Sequence, residues 1–282
     1  MILKNEIIQK STEWQVPPDT VDKDYVLGHF LSVFIDLHEH KNKLVFKGGT
    51  ALRKCYFPGY RFSEDLDFTS IDPNYKLTRS ILNQIKERIE EGTGILLHIQ
   101  EIVTLKHKDK LTGYQAKIKY WGANHSKNQE PPPHARWTSA IKVEITLYET
   151  LLFEPAEREL YHPYSDELTG LKKINCYVLK EVVSEKLRAL IQRSYTAPRD
   201  LYDIYMLSPE FNDADWAKIK TAFLKKMQFK NKDYEGVNQL INEVNLGYVK
   251  KAWERSLTHQ IPSEKLPDFE AIIKKITQVL NK

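Results

Sequence analysis

Apolar positions recur in two rhythms along this chain. Residues Asp24 to His40 (DYVLGHFLSVFIDLHEH) place Tyr25, Val26, Phe30, Val33, Phe34 and Leu37 at helical spacing. LVFKGG follows, a short apolar run closed by glycines, which predicts a strand and a tight turn. Thr50 then opens a short helix, TALRKCYF, that stops before Pro58-Gly59, and EDLDFTS predicts a second strand. Thr78 to Glu91 carries Ile81, Leu82, Ile85 and Ile89 on one helical face. Ile95–Leu105 and Tyr114–Tyr120 alternate as strands do. Residues 126–136 (SKNQEPPPHAR) are polar and proline-rich and predict a loop. Ser139 to Leu147 shows the cleanest alternation: Ile141, Val143, Ile145 and Leu147 on one face, Lys142, Glu144 and Thr146 on the other.

Beyond about residue 165 the rhythm becomes helical, with patterns over 178–194, 199–207, 214–227, 234–245, 247–257 and 267–281. The chain thus predicts an N-terminal domain of mixed strands and helices, residues 1–168, and a helical C-terminal domain, residues 169–282.

Composition narrows the class without fixing it. A hydrophobic fraction of 41% suits a globular core, and a net charge of +4 permits a polyanionic partner without requiring one. Two cysteines, Cys55 and Cys176, offer neither a disulfide framework nor zinc spacing. The opening MILKNEIIQKSTEW is too polar for a signal peptide, and no apolar run is long enough for a bilayer, so a cytoplasmic location and no membrane partner are expected. The nine histidines are scattered; His38 and His40, the close pair, point apart on a helix and predict no metal site.

Chemistry concentrates in KGGTALRKCYFPGYRFSEDLDF. Gly48 and Gly49 let the backbone turn sharply and approach a ligand. Thr50 sits where a helix begins, a place whose free N–H groups favour phosphate. Asp65 and Asp67 are two apart on a strand and share a face, while Leu66 and Phe68 turn to the core. Adjacent carboxylates repel unless a cation lies between them, and Mg²⁺ or Mn²⁺ accepts oxygen ligands. Glu144, on the polar face of another strand, adds a third carboxylate if the strands are neighbours. Each part alone has a plainer explanation: a Gly-Gly turn, a solvated strand face, an exposed glutamate. Their joint order raises a phosphate-plus-metal site above those explanations.

A second cluster is EKLRALIQRSYTAPRDLYDIYML, residues 185–207. Val182, Val183, Leu187, Leu190 and Ile191 form an apolar stripe bordered by Lys186, with Arg193 two turns further along. After Pro198, Asp200 and Asp203 share a helix face. A helical hairpin with solvated charges is one reading. The other has Lys186 touching nucleotide phosphates and one aspartate acting as base or orienter. Lys218, Lys220, Lys225, Lys226, Lys230 and Lys232 form a basic run, read as a solvated face or, more sharply, as an RNA-binding one.

FKGGTALRKCY followed by RFSEDLDF closely resembles the AbiEii/AbiGii-type nucleotidyltransferase toxins, within the DNA polymerase β-like nucleotidyltransferase superfamily. The EKLRAL–R–RDLYDIY stretch resembles their second block, in the expected order. The resemblance implies an α+β nucleotidyltransferase fold, a short mixed sheet flanked by helices and followed by a helical domain. It implies that Gly48, Gly49, Thr50, Ser63, Lys186 and Arg193 bind nucleotide and that Asp65 and Asp67 bind Mg²⁺ or Mn²⁺. Glu144 matches the third metal-binding acid only loosely. Lys186, Asp200 and Asp203 match the catalytic residues of the later block. It also implies an NTP substrate, an RNA acceptor (the tRNA acceptor end), and a cognate antitoxin. Two other readings stay open: nucleotidylation of a protein or small molecule, and a catalytically silent nucleotide- or partner-binding module.

Overall fold

The alternation at residues 139–147 becomes a strand at the middle of a seven-stranded mixed sheet. The computed structural model describes residues 1–282 apart from 38, 39, 41, 127, 169, 193–196, 241, 242, 281 and 282. The chain divides into two compact units, one of Met1–Glu149 with Pro155–Cys176, the other of Thr150–Glu154 with Tyr177–Lys282.

The first unit holds the sheet. Its strands are β1 (Leu44–Lys47), β2 (Asp65–Ser70), β3 (Leu96–His107), β4 (Lys110–Trp121), β5 (Ala140–Thr146), β6 (Ala156–Glu159) and β7 (Lys173–Cys176). The order is β3-β4-β5-β2-β1-β7-β6. β2 runs parallel to β5 and antiparallel to β1, so both acid-bearing strands lie side by side in the centre. Burial in β5 alternates at every residue, and Leu66 and Phe68 of β2 are buried. Period-2 patterning therefore fixes which face carries the acids.

Three long helices cover the unit. α1 (Lys4–Trp14) and α2 (Pro18–Asp36) lie ahead of the sheet. α2 begins six residues before the periodicity at Asp24, because Pro18 stands at its first turn, where a missing N–H costs nothing. α4 (Arg79–Thr93) is capped as its sequence prescribes. Thr78 Oγ1 accepts from the Ile81 N–H at 3.3 Å, and Gly94 ends the helix at φ +76°. Its apolar stripe, Ile81, Leu82, Ile85 and Ile89, is wholly buried. Phe34 of α2 stacks on Phe68 of β2 with centroids 4.9 Å apart, and Phe46 of β1 meets Phe68 tilted at 5.1 Å.

The second unit is helical: α5 (Leu179–Gln192), α6 (Pro198–Leu207), α7 (Asp213–Phe229), α8 (Glu243–Leu257) and α9 (Phe269–Leu280). The separate helices expected over 234–245 and 247–257 are not both present. A 3-10 turn at Val237–Gln239 precedes α8, which continues through Gly247. Gly247 has open space where a side chain would stand, so it weakens the helix without breaking it. Lys226, expected on a solvated basic face, is instead buried. Its ammonium bonds Glu181 at 2.6 Å and the Thr150 carbonyl at 2.7 Å. Among the described residues, no helix is long and apolar enough to cross a membrane.

Candidate active site

β1 ends at Lys47, and the chain turns at Gly48 into α3 (Gly48–Ala51) and then a π-helical turn, Leu52–Tyr56. Gly48 has φ +80°, which side chains rarely adopt, and a Cβ there would lie 2.5 Å from Asp67 Oδ2. Glycine is therefore needed twice, for the backbone and for the carboxylate lying over it. A Cβ on Gly49 would meet Arg61 Nη2 at 2.7 Å and Ser63 Oγ at 3.0 Å. The turn is thus overlaid by one carboxylate, one guanidinium and one hydroxyl. Thr50 is buried, and its hydroxyl donates to the Asp65 carbonyl at 2.5 Å, fastening the turn to β2.

Strand register assembles the polar face. Lys47 of β1 pairs with Asp67 of β2, Asp67 with Glu144 of β5, and Glu144 with Gln115 of β4. Paired residues project from the same face, so these four side chains form one row across the sheet. Asp65 pairs with Lys142 one step along. Glu144 Oε2 lies 3.1 Å from Lys142 Nζ and accepts from Gln115 Nε2 at 3.4 Å. The Asp67 carboxyl is pushed up to about 6 by burial and then by the charges of Glu144 and Asp65, against the pull of Lys47 and Lys142. Lys142 is raised: burial lowers it, but Glu144, Asp65 and Asp67 outweigh burial.

The three acids share a face without closing on a point. Among the described residues they do not form a group whose ligand oxygens all lie within 4.8 Å. Even so, the donor set suits a hard divalent cation. It offers carboxylate oxygens only, one of them in a cradle that a side chain at residue 48 would fill.

The turn is braced from behind by a buried ion cluster. Asp24 of α2 takes Arg53 Nε at 2.9 Å, Lys54 Nζ at 2.7 Å and the Tyr164 hydroxyl at 2.8 Å. Burial would raise the Asp24 carboxyl, yet these partners hold it well below the usual carboxylate range. Arg53 and Lys54 therefore point inward and position the turn.

The later block lies in the second unit. Lys186 of α5 is buried, with its ammonium 2.7 Å from Asp200 Oδ1 and 2.7 Å from Asp203 Oδ2 of α6. Asp203 is fully buried and Asp200 nearly so. These charges form a closed cluster in place of a solvated hairpin. Arg193 lies outside the described residues.

The model of the family described as nucleotidyl transferase AbiEii toxin, type IV TA system, matches residues 29–275. The chain belongs to this family. As an AbiEii toxin it is a nucleotidyltransferase of a toxin–antitoxin system, and that activity implies an NTP substrate. The fold agrees. MenT4, a nucleotidyltransferase toxin from Mycobacterium tuberculosis, superposes with a TM-score of 0.69 at 19% identity, over 100% of this chain and 90% of that one. At that identity the likeness speaks for fold alone. An antigenic nucleotidyltransferase-like protein from Paracoccidioides brasiliensis aligns at 12% identity over 87% of this chain and 96% of its own, with a TM-score of 0.31, which carries no argument. No curated protein matches.

Three residues at the face of this AbiEii toxin went unread in the sequence: Lys47, Arg61 and Lys142. Arg61 had a local signal, standing two before Ser63 within the first motif. Lys142 had one too, two residues before Glu144 on the same strand face, whereas Lys47 had none, because only strand pairing sets it beside Asp67.

Proposed function

We propose that the Gly48–Asp67 corner binds an NTP with Mg²⁺ (or Mn²⁺) and that the transferred nucleotide goes to an RNA hydroxyl, at the acceptor end of tRNA. The observation carrying this reading is the contact between a positive-φ glycine and a carboxylate whose pKa is raised to about 6. Burial and two neighbouring carboxylates outweigh Lys47 and Lys142 at this group, and a divalent cation would restore the balance.

Asp65 and Asp67 would hold the metal. When bound, it would supply charge neutralisation on the phosphates and a more acidic acceptor hydroxyl. Backbone N–H groups at Gly49 and Thr50, with Ser63 and Arg61 above them, face the triphosphate in this reading. Thr50 contributes its backbone, since its hydroxyl is spent on Asp65. Glu144, paired with Lys142 at 3.1 Å, would leave that lysine to orient the acceptor hydroxyl and take its proton. The hydroxyl oxygen bonds to the α-phosphorus, and the bond to the departing pyrophosphate breaks. Lys186 as a phosphate contact, with Asp200 and Asp203 orienting its ammonium, rests on the sequence block alone.

The test is labelling with each of four α-labelled NTPs, total RNA and Mg²⁺. We expect label in the tRNA band with one preferred NTP, and none with Asp67→Asn. Label on protein with RNA blank would replace the acceptor. Undiminished toxicity of Asp67→Asn in cells would sink the reading altogether.

A further inference from the structure

A second group of side chains in the first unit has the makings of a metal site and no part in the chemistry above. His29 of α2 and His162 and Asp166 of the segment after β6 bring one ligand atom each within 4.8 Å of one another. His29 Nε2 lies 3.3 Å from Asp166 Oδ2, and His162 Nε2 lies 3.5 Å from Asp166 Oδ1. A tetrahedral zinc shell with bonds of about 2.0–2.1 Å has ligand–ligand edges of ~3.3 Å. One ligand atom from each residue therefore lies close enough to converge on a single ion, and Asp166 meets the two histidines through its two different oxygens.

The polar accounting points the same way. The His29 and His162 side chains are 8% and 3% exposed. His29 Nε2, both ring nitrogens of His162 and Asp166 Oδ1 are buried without a hydrogen-bond partner. Three of these atoms meet only partners within the cluster, at ion-pair distances, and His162 Nδ1 is left over; burying polar groups so loosely paired is costly unless something else satisfies them. The carboxylate is also held from outside. The Tyr25 hydroxyl donates to Asp166 Oδ2 at 2.6 Å and accepts from the Ile2 N–H at 3.2 Å. Metal-ligating carboxylates need that kind of support. Lys54, the cation beside His162, is paired with Asp24. A groove lined by Met1, Ile2, Pro163 and Asp166 reaches the carboxylate side of the cluster.

We propose that His29, His162 and Asp166 bind one Zn²⁺, leaving a fourth position to water, and that the ion staples the 160–166 segment to α2. Two imidazoles and a carboxylate suit Zn²⁺ better than Mg²⁺. The staple has a structural consequence. Tyr161 N–H donates to the Lys54 carbonyl at 2.7 Å, and Tyr164 joins the Asp24 cluster, so the stapled segment braces the element that follows Gly48-Gly49-Thr50.

The experiment is Zn²⁺ titration of untagged full-length protein against a chromophoric chelator, with Co²⁺ as a spectroscopic probe. It is run on wild type, Asp65→Asn/Asp67→Asn, His29→Asn, His162→Asn and Tyr25→Phe. The proposal expects one Zn²⁺ per chain in wild type and in the double aspartate variant, and a Co²⁺ visible band typical of four-coordination. It expects affinity to fall by more than roughly 100-fold in either histidine variant and about 10-fold in Tyr25→Phe, which removes only the outer support. Zn²⁺ should raise the melting temperature of wild type and not of His162→Asn. If a histidine variant fails to fold, Tyr25→Phe, which keeps all three ligands, decides. No stoichiometric Zn²⁺ in wild type overturns the proposal, as does undiminished binding in His162→Asn. Loss of binding in the double aspartate variant overturns it too, assigning the ion to the sheet acids.

Discussion

Asp24 and Asp67 belong to one unit of one chain and carry the same carboxylate, yet their surroundings push them in opposite directions. Asp24 is 1% exposed and surrounded by Arg53, Lys54 and the Tyr164 hydroxyl, so it is held ionised well below the usual range. Asp67 is flanked by Glu144 and Asp65 as well as by lysines, and burial tips it upward to about 6. The first charge is complete within the fold. The second, in the proposed reading, would be completed by a divalent cation. A carboxylate that the protein itself satisfies is architecture, and one left short of positive charge is a candidate for chemistry.

That contrast can be broken most directly at Asp67. Replacement by Asn keeps the shape and removes the charge. Transfer to RNA should fall by roughly 10⁴-fold, ~5 kcal/mol at 1.36 kcal/mol per decade, with circular dichroism unchanged. A variant retaining a tenth of the activity would make Asp67 architecture too. Asp24→Asn should do the reverse. It strands Arg53 and Lys54 in the interior and should cost about 3–5 kcal/mol of stability, read by urea denaturation. Activity per folded molecule should fall far less than in Asp67→Asn, because Asp24 acts only through the position of the turn. A loss of activity at full stability would move Asp24 to the chemical side.

Gly48→Ala probes the contact between turn and carboxylate. The new Cβ would lie 2.5 Å from Asp67 Oδ2, at a φ of +80°. Displacing a reacting group by about 1 Å can cost ~10²-fold, and that is the expected loss, with a stability loss of ~1 kcal/mol from the strained backbone. Wild-type activity in Gly48→Ala would show that the close approach is incidental.

Much of this contrast was legible before any coordinates. The Asp-x-Asp face of β2 and the alternation of β5 follow from period-2 patterning, because Leu66, Phe68, Val143 and Ile145 can be buried only one way. Glu144 beside Asp67 was a conditional inference that needed β2 and β5 to be neighbours, a fact that only pairing supplies. Strand β6 was not legible. Its sequence, AERE, has no apolar face, since it is an exposed edge held by backbone bonds to β7. Arg53 and Lys54 were visible but their direction was not, because a basic residue reads as solvated until a buried acid is found for it. The same holds for Lys226 with Glu181. His29, His162 and Asp166 meet only because the segment after β6 returns to α2.

A smaller effect is expected from pH. The proton that Asp67 holds competes with the metal, so transfer at limiting Mg²⁺ should fall on the acid side with an apparent pKa near 6. Raising Mg²⁺ tenfold should move that limb to lower pH by up to about one unit. A limb that ignores Mg²⁺ would separate the titrating group from the metal.

The smallest expected effect is the most diagnostic, because its sign is opposite to the usual one. The folded pKa of Asp67 lies above its unfolded value, so between about pH 4 and pH 6 the folded state keeps a proton that the unfolded chain has released. Stability is lost as pH rises through that window and stays lower above it. Asn carries no charge and escapes the penalty. Without metal at pH 7.5, Asp67→Asn should therefore melt about 2–4 °C above wild type, the shift that ~1 kcal/mol gives in a chain of this size. Near pH 4 the two should melt together, since both side chains are then neutral. Added Mg²⁺ should raise wild type alone and close the gap. An Asn variant less stable than wild type at neutral pH without Mg²⁺ would mean that Asp67 is already satisfied by the fold, as Asp24 is, and the contrast would fail.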